Sequence, residues 1–548
     1  MASQDKRGYI RSDGIKRRSV VSSFIFKADL DSGRPRVALF KRSNKVSTYI
    51  YHHAPISGSI EKSDPSPLAA AWRELQEETT LTPENLGFLR HGKPYTFTDL
   101  SIGREWTIFP FMFRLRSASD EAKIKIDWEH ESWAWFDPHT VEDTEAFGGV
   151  PRLAESLRRV WFEKDLGDEA GKVLADGLEK LAGDYVSGAR QLAGDALQIL
   201  RDVIAAFGSD HPDVLPASER WCKIMRLAAW HIWKNGRESM GAAIMNVLLS
   251  ALSEIEHAMQ SKQAATETTT WLSSVITKLD QRIASRQGSV EFLSQAFVTY
   301  LYNTFASKLT AGDPLSILTL SEPSTITHAL RYLISKSNFT LDLRVLESRP
   351  LYEGVSLAAS VAKDLSLLPP SETEPNNTIT LYTDASAALA SHNVDIVLLG
   401  ADRIAASGAV SNKTGSLPAI LSARYVTSSS PARIIVLGES EKVAPPGRPQ
   451  DHVVEDINPH QVSQAWGADS NGSRVRDGAS SLQSLILEKH SGSGKKKVEV
   501  TVRNVSFEWC PPDLIDVYIR ESGEWTVDDI AGYSKRLAEE GERLFGGL

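Results

Sequence analysis

The sequence predicts a multi-domain α/β protein, and three features carry that prediction. A glutamate-rich helix lies among strand-like runs near the N-terminus, a middle stretch repeats its apolar residues at helical spacing, and from about residue 314 short apolar runs alternate with helix-length segments. At 548 residues the chain exceeds one ordinary core, so two or three domains are expected.

In the first part, Ser19 to Ile25 and Arg36 to Phe40 read as strands joined by a turn at Asp31-Ser-Gly-Arg-Pro, and Trp106 to Phe113 and Ser132 to Phe136 as two more. Between them Ser66 can cap a helix and Pro67 suits its first position. Leu68, Ala71, Trp72 and Leu75 then form the buried stripe. Glu74, Glu77 and Glu78 stand at i, i+3 and i+4 on one face, where carboxylates repel unless a cation such as Mg²⁺ or Mn²⁺ neutralises them. The plainer alternative is an exposed acidic helix with Arg73 as an internal ion-pair partner.

The run Arg73-Glu74-Leu75-Gln76-Glu77-Glu78, followed by Leu81, resembles the Nudix box. Ser59, Pro65 and Thr80 stand where that pattern has its first glycine, first glutamate and second glycine. The resemblance covers about residues 15–165 and implies an α/β/α sandwich. It further implies Glu74, Glu77 and Glu78 as ligands of Mg²⁺ or Mn²⁺, Glu77 as the group assisting the attacking water, and a nucleoside diphosphate derivative as substrate. Glu129 or Glu131, in a segment resembling the late part of such domains, either reaches the metal or is a plain surface charge. Arg90 to Ile102 reads as a selectivity loop.

Residues 166–305 form the helical part, with Leu178, Leu181, Tyr185, Ala189, Leu192, Leu197 and Leu200 near a 3.6 period and further runs at Trp221 to Trp233 and Met240 to Met259. The heptads are not sustained, which favours a packed subdomain over a coiled coil.

Residues 306–548 carry five apolar runs that each stop at a polar cluster: Leu315 to Leu320, Leu341 to Leu346, Ile379 to Thr383, Val394 to Leu399 and Arg433 to Leu437. Such runs imply a doubly wound, Rossmann-like parallel sheet whose polar clusters converge on one crevice. There Arg349 offers a planar fork for phosphate, Lys413 and Lys442 point charges, Asn412 a partner for hydroxyls, and Asp402 a proton carrier or a structural cap. A phosphorylated sugar suits that set.

The segment Gly400-Ala-Asp402-Arg-Ile through Asn412-Lys413-Thr-Gly415 resembles the signature of the family joining initiation factor 2B alpha, beta and delta subunits with methylthioribose-1-phosphate isomerase and ribose-1,5-bisphosphate isomerase. Glu347-Ser-Arg349-Pro and Asn504 to Pro512 are further matches, and Arg190 and Arg237 lie in weaker ones. The resemblance implies a site in which Asp402 and Ser321 take the catalytic positions, with Arg190, Arg237, Arg349, Asn412, Lys413 and Lys442 binding substrate. Ser321 stands where the isomerases have a cysteine, and a hydroxyl is a far weaker acid than a thiol. Sugar-phosphate binding, isomerisation and a regulatory scaffold therefore remain open for this half.

A formal charge of −9 and a pI near 5.9 argue against direct nucleic-acid binding. No run reaches the ~18 apolar residues of a membrane span and the N-terminus lacks an apolar signal core, so a cytoplasmic protein is expected. Cys222 and Cys510 are far apart and without a metal-ligand pattern. Residues 443–496, rich in Gly, Ser, Asp and Pro, read as a mobile insertion ending in Lys495 to Lys497. The second family commonly dimerises through its sheet domain, so a homodimer is expected.

Overall fold

The computed structural model describes residues 15–28, 34–185, 187–211, 214, 218–260, 268–367, 377–426, 431–452, 455–468, 471–487 and 500–548. The Asp31–Gly33 part of the expected turn and Lys495 to Lys497 lie outside the described residues.

The N-terminal sheet is built from β1 (Lys16–Ala28), β2 (Pro35–Arg42), β3 (His53–Ala54), β4 (Ile56–Ser59), β5 (Leu86–His91), β6 (Tyr95–Asp99), β7 (Arg104–Leu115) and β8 (His130–Phe136). Its main path runs β3-β2-β1-β7-β5, with β4 on β1, β6 on β7 and β8 on β2. Alternation along the strands divides the core into two layers. Val21, Ile25, Ala38 and Phe40 face the glutamate helix α1 (Pro67–Thr79) with Ala70, Ala71 and Leu75. Phe24, Phe26, Val37 and Leu39 face the other way, onto Leu153, Leu157 and Trp161 of α2 (Leu153–Arg158) and the turn after it. The expected α/β/α sandwich is present. Arg90 to Ile102, expected as a loop, instead contains the end of β5, all of β6 and a short connection, because β6 pairs with β7 from Tyr95↔Ile108 to Asp99↔Arg104.

A short α3 (Glu163–Leu166) leads into a helical layer: α4 (Asp168–Gly183), α5 (Ala189–Asp210), α6 (Glu219–Asn235), α7 (Gly241–Gln260) and α8 (Thr268–Ala311). Its core includes Leu178, Leu181, Leu192, Leu197, Leu200, Trp221 and Leu248. Tyr185 is exposed, so it falls outside the stripe predicted for it.

The C-terminal half contains β9 (Leu315–Leu320), α9 (Ser324–Lys336), β10 (Leu341–Leu346), α10 (Glu353–Ser366), β11 (Thr378–Tyr382), α11 (Ala387–Ala390) and β12 (Ile396–Leu399). It continues with β13 (Arg403–Ile404), β14 (Val410–Lys413), α12 (Ser416–Val426), β15 (Arg433–Leu437), α13 (His460–Gln464), α14 (Ser473–Leu487), β16 (Phe507–Cys510), β17 (Val517–Arg520), β18 (Gly523–Trp525) and α15 (Val527–Phe545). The main sheet has the order β11-β10-β9-β12-β15-β17-β18, parallel except for β18. The chain winds outward from β9 to β11 and then crosses back to β12. The order therefore reverses between β9 and β12, and the crevice at such a switch point is where doubly wound sheets take ligands. Ser321 follows β9 and Gly400 to Asp402 follow β12, so both flank it. A small sheet of β13, β14 and β16 sits beside it. Among the described residues of 443–496 the structure has α13, α14 and an inward-turned Glu455. Among the described residues no helix is long and apolar enough to cross a membrane, and both cysteines are free thiols.

Candidate functional site

Helix α1 starts as its sequence dictates, with Ser66 Oγ accepting from Ala69 N at 3.2 Å and Pro67 at the first position. It delivers its three carboxylates unequally. Glu78 is buried, with 5% of its side chain exposed; Glu74 is at 12%; Glu77 stands at 58%. Burial pushes the Glu78 carboxyl well above its ordinary value, and repulsion from Glu74, Glu129 and Asp127 pushes the same way. Burial also raises Glu74, against the pull of Arg73. Behind them the buried His130 lies between Glu78 (3.6 Å) and Asp127 (3.5 Å), and burial holds its imidazole below its ordinary pKa.

Arg73 binds Glu74 Oε1 at 2.8 Å and Glu77 Oε2 at 3.2 Å, and among the described residues no three His, Cys, Asp or Glu side chains stand in a geometry that holds an ion. The donor chemistry still fits a hard dication: all ligand atoms are carboxylate oxygens, and Glu74 and Glu78 are desolvated and repelling. Glu77 would have to leave Arg73 to join them.

Two residues that pattern matching passed over complete this loop. Arg73 also binds Asp64, whose side chain is 7% exposed, through Nε and Nη2 at 3.1 and 3.0 Å, and this holds the Asp64 carboxyl below its usual range. Gly58 lies against Glu74 so closely that a Cβ there would stand 1.9 Å from the carboxylate carbon. Gly58 and Asp64 each stand one residue before Ser59 and Pro65, the positions of the box glycine and first glutamate. The spacing from Gly58 to Asp64 keeps the box interval, and the extra residue lies between Asp64 and Arg73. At the helix end Thr80 occupies the left-handed conformation (φ 63°) that the box glycine would adopt without strain.

Glu74 forms part of the wall of a cleft of about 420 Å³. Strand pairing brings Arg18 opposite Trp106 on β7, and the register shift between Lys41 and Arg42 lies where Arg42 enters the cleft. Arg104, Tyr49, Trp128 and Glu129 also line it. Of the two late acidic candidates, Glu129 therefore faces the cleft, whereas Glu131 pairs with Lys41 at 3.4 Å.

The second candidate crevice is electrostatically closed. Arg190 faces Glu439 at 3.7 Å, Arg237 binds Glu455 at 2.6 Å, Arg349 binds Glu347 at 2.8 Å, Lys413 binds Glu353 at 2.5 Å and Lys442 binds Glu439 at 3.1 Å. Every cation proposed for a phosphate thus already has a carboxylate. Asp402 is raised by burial against the pull of Lys442, Arg237 and Lys413, which places those four charges in one neighbourhood. Burial acts to raise Glu439, yet Lys442 and Arg190 outweigh it and hold that carboxyl low. Asn412 donates to Ser416 Oγ at 2.9 Å. Ser321 sits at φ 60°, and its N–H donates to Ser348 Oγ at 2.7 Å. Arg349 is 58% exposed over Tyr352, open to solvent on the rim.

The profile of the initiation factor 2 subunit family matches residues 186–527, well over half of the chain. The chain belongs to the initiation factor 2 subunit family. A NUDIX domain matches residues 16–160. Two curated relatives are similar: a ribose 1,5-bisphosphate isomerase of Haloferax volcanii, 28% identical over 163 residues (30% of this chain), and a methylthioribose-1-phosphate isomerase of Rhodopirellula baltica, 32% identical over 96 residues (17% of this chain). The matches span 42% and 24% of those relatives' lengths. Among solved structures, 5-methylthioribose 1-phosphate isomerase from Pyrococcus horikoshii OT3 overlays with a TM-score of 0.41 at 19% identity, covering 67% of this chain and 87% of that one. NUDIX and initiation factor 2 subunit domains are thus joined in one chain.

Proposed function

We propose that the NUDIX domain hydrolyses a nucleoside diphosphate derivative with Mg²⁺ or Mn²⁺, and that the second half binds a ribose-type sugar phosphate. The observation that carries this reading is the loop in which Gly58 makes room for the Glu74 carboxylate and Asp64 fixes Arg73, at the wall of a cleft lined by arginines. A bound dication would neutralise the carboxylates of Glu74, Glu77 and Glu78 and stabilise charge on phosphoryl oxygens.

The residues of the chain divide the remaining work. Arg18, Arg42 and Arg104 bind the diphosphate oxygens, and Trp106 and Trp128 offer faces to the attached group. Glu77, the most open carboxylate, takes the proton of the attacking water. A new P–O bond forms to that water and the bridging P–O bond breaks, leaving two phosphate-bearing products.

In the second half, Asp402 near Lys442, Arg237 and Lys413 supports a sugar-phosphate site, and a thiol-dependent isomerisation is disfavoured by Ser321. The paired cations favour a second reading of this half, a non-catalytic regulatory scaffold in a cytoplasmic homodimer.

The test is phosphate or nucleotide release from a panel of nucleoside diphosphate derivatives with Mg²⁺ or Mn²⁺, comparing the intact chain with Glu77→Gln and Glu78→Gln. Hydrolysis of one compound, lost in both variants, is the expected result. No turnover in any chain, with co-purification of initiation factor subunits, would replace it with the scaffold reading.

A further inference from the structure

A further cavity lies outside both candidate sites. It measures about 570 Å³ and opens where the NUDIX sheet, the helical layer, the C-terminal sheet domain and α15 meet. Its walls include Lys93 after β5, Trp233 and Lys234 near the end of α6, Arg403 of β13, Arg448, and Phe545 of α15.

The junction is closely fitted. His91 N donates to Asn235 Oδ1 at 2.6 Å, and Asn235 Nδ2 donates back to His91 O at 2.9 Å. Gly92 follows, and a Cβ there would stand 2.8 to 2.9 Å from Val160, the Arg159 carbonyl and Pro110. This two-way clamp on the end of α6 brings Lys93 to the same cavity as Lys234, the residue before Asn235.

Among the described residues Lys93, Lys234 and Arg403 form no ion pair and their side-chain nitrogens donate no hydrogen bond, in contrast to the five paired cations of the crevice. Lys234 Nζ lies 4.3 Å from the Trp233 ring centroid, and the Trp233 ring stacks on Phe545 at 5.8 Å. Two carboxylates share the wall and attract these cations from beyond ion-pair distance, Glu542 acting on Lys93 and Glu238 on Lys234 and Arg403. Burial lowers all three cations from their ordinary pKa, so their charge is held in a partly desolvated place. Three cations facing two carboxylates that do not bond them leave room for an anion from outside to bind them directly.

We propose that this junction cavity binds a phosphate monoester, its phosphate held by Lys93, Lys234 and Arg403 and its organic part lying on Trp233. The volume suits a sugar phosphate or a nucleoside monophosphate. Such a ligand touches the NUDIX domain and the initiation factor 2 subunit domain at once, so its binding energy tightens the junction.

The test is calorimetric titration of the full chain with inorganic phosphate, ribose 5-phosphate and uridine 5′-monophosphate. The chain is compared with Lys93→Gln, Lys234→Gln and, as a surface control on α4, Lys180→Gln, all checked for folding by thermal melting. Saturable binding of an ester with Kd under about 1 mM is expected, weakened about tenfold or more in Lys93→Gln and in Lys234→Gln and unchanged in Lys180→Gln. Which ester binds more tightly names the source. Affinity kept in both junction variants, an equal loss in Lys180→Gln, binding of inorganic phosphate as tight as either ester, or no binding of any probe would each overturn the proposal.

Discussion

Replacing Gly58 by alanine tests the geometry of the NUDIX site with one methyl group. The added Cβ would stand 1.9 Å from Glu74 Cδ and 2.0 and 2.3 Å from its oxygens, whereas ordinary contact begins near 3.4 Å. The carboxylate must therefore retreat by about 1.5 Å. A free glutamate would swing aside cheaply, but this one is held by Arg73 at 2.8 Å and is largely buried. Moving it breaks a partly buried charge-assisted hydrogen bond, so the fold loses about 1–2 kcal/mol. A ligand displaced by more than an ångström costs on the order of 100-fold in turnover. Release of phosphate or nucleotide from the compound hydrolysed by the intact chain gives the rate, and urea unfolding gives the stability. Ser59→Ala, one residue on, is expected to leave the rate within about threefold of the parent, since no comparable approach exists there. If Gly58→Ala turns over like the parent and Ser59→Ala does not, Glu74 does not lie against Gly58.

Thr80→Gly relieves a left-handed β-branched residue but gives up the exposed bond from Thr80 Oγ1 to Lys123 O. A net gain of about 0.5 kcal/mol in urea unfolding is expected. Because Glu78 has a raised pKa, the folded state favours its protonated form, and without divalent cations stability is lost as pH rises from the ordinary carboxyl value of 4.5 through the raised one. Glu78→Gln should therefore raise the melting temperature at pH 8 more than at pH 5, while Mg²⁺ stabilises the parent and not the variant. His91 is pushed down to about 4 by burial, so stability is lost as pH falls below the unfolded value of 6.5. Between pH 7 and 5 this amounts to about 2 kcal/mol, and His91→Phe should flatten that part of the pH profile in chemical denaturation. Arg237→Ala strands the nearly buried Glu455 and should cost about 3 kcal/mol in the same assay. Full stability in that variant would sink the ion-pair assignment.

Much of the fold was legible, and the places where it was not share a cause. β9, β10 and β15 begin and end where their apolar runs do, because parallel strands covered on both faces are dominated by apolar residues, even with Asp342 and Arg344 inside β10 and Arg433 at the start of β15. β12 starts two residues later than its run, and β11 is shifted by one. β6 passed for a loop because its burial alternates only between exposed and half-buried, so no apolar stripe marks it, although it pairs with β7 across a four-residue connection. β17 and the small sheet of β13, β14 and β16 went unread because strands of two to four residues give too little periodicity.

The candidate site follows the same logic. Its carboxylate helix was readable since helical neighbours are local. Asp64 and Gly58 were hidden by one inserted residue, which defeats a fixed spacing but leaves a loop free to deliver the same contacts. Arg18 and Arg42 reach the cleft only through strand pairing and a bulge, which no local pattern encodes. Arg190 with Glu439 and Arg237 with Glu455 lie about 249 and 218 positions apart in the chain and meet only in the fold, so their neutrality was not visible either.

The carboxylates that already occupy the crevice cations give that region the character of an ion exchanger with tethered counter-ions. An anion entering it trades places with a side chain that cannot diffuse away, so little mobile salt is released and affinity there should respond only weakly to ionic strength. The vacated glutamate must then find water or a new donor. Entry and side-chain rearrangement are one event, and a doubly charged group, which attracts the cations more strongly than the single charge it displaces, is favoured over a singly charged one.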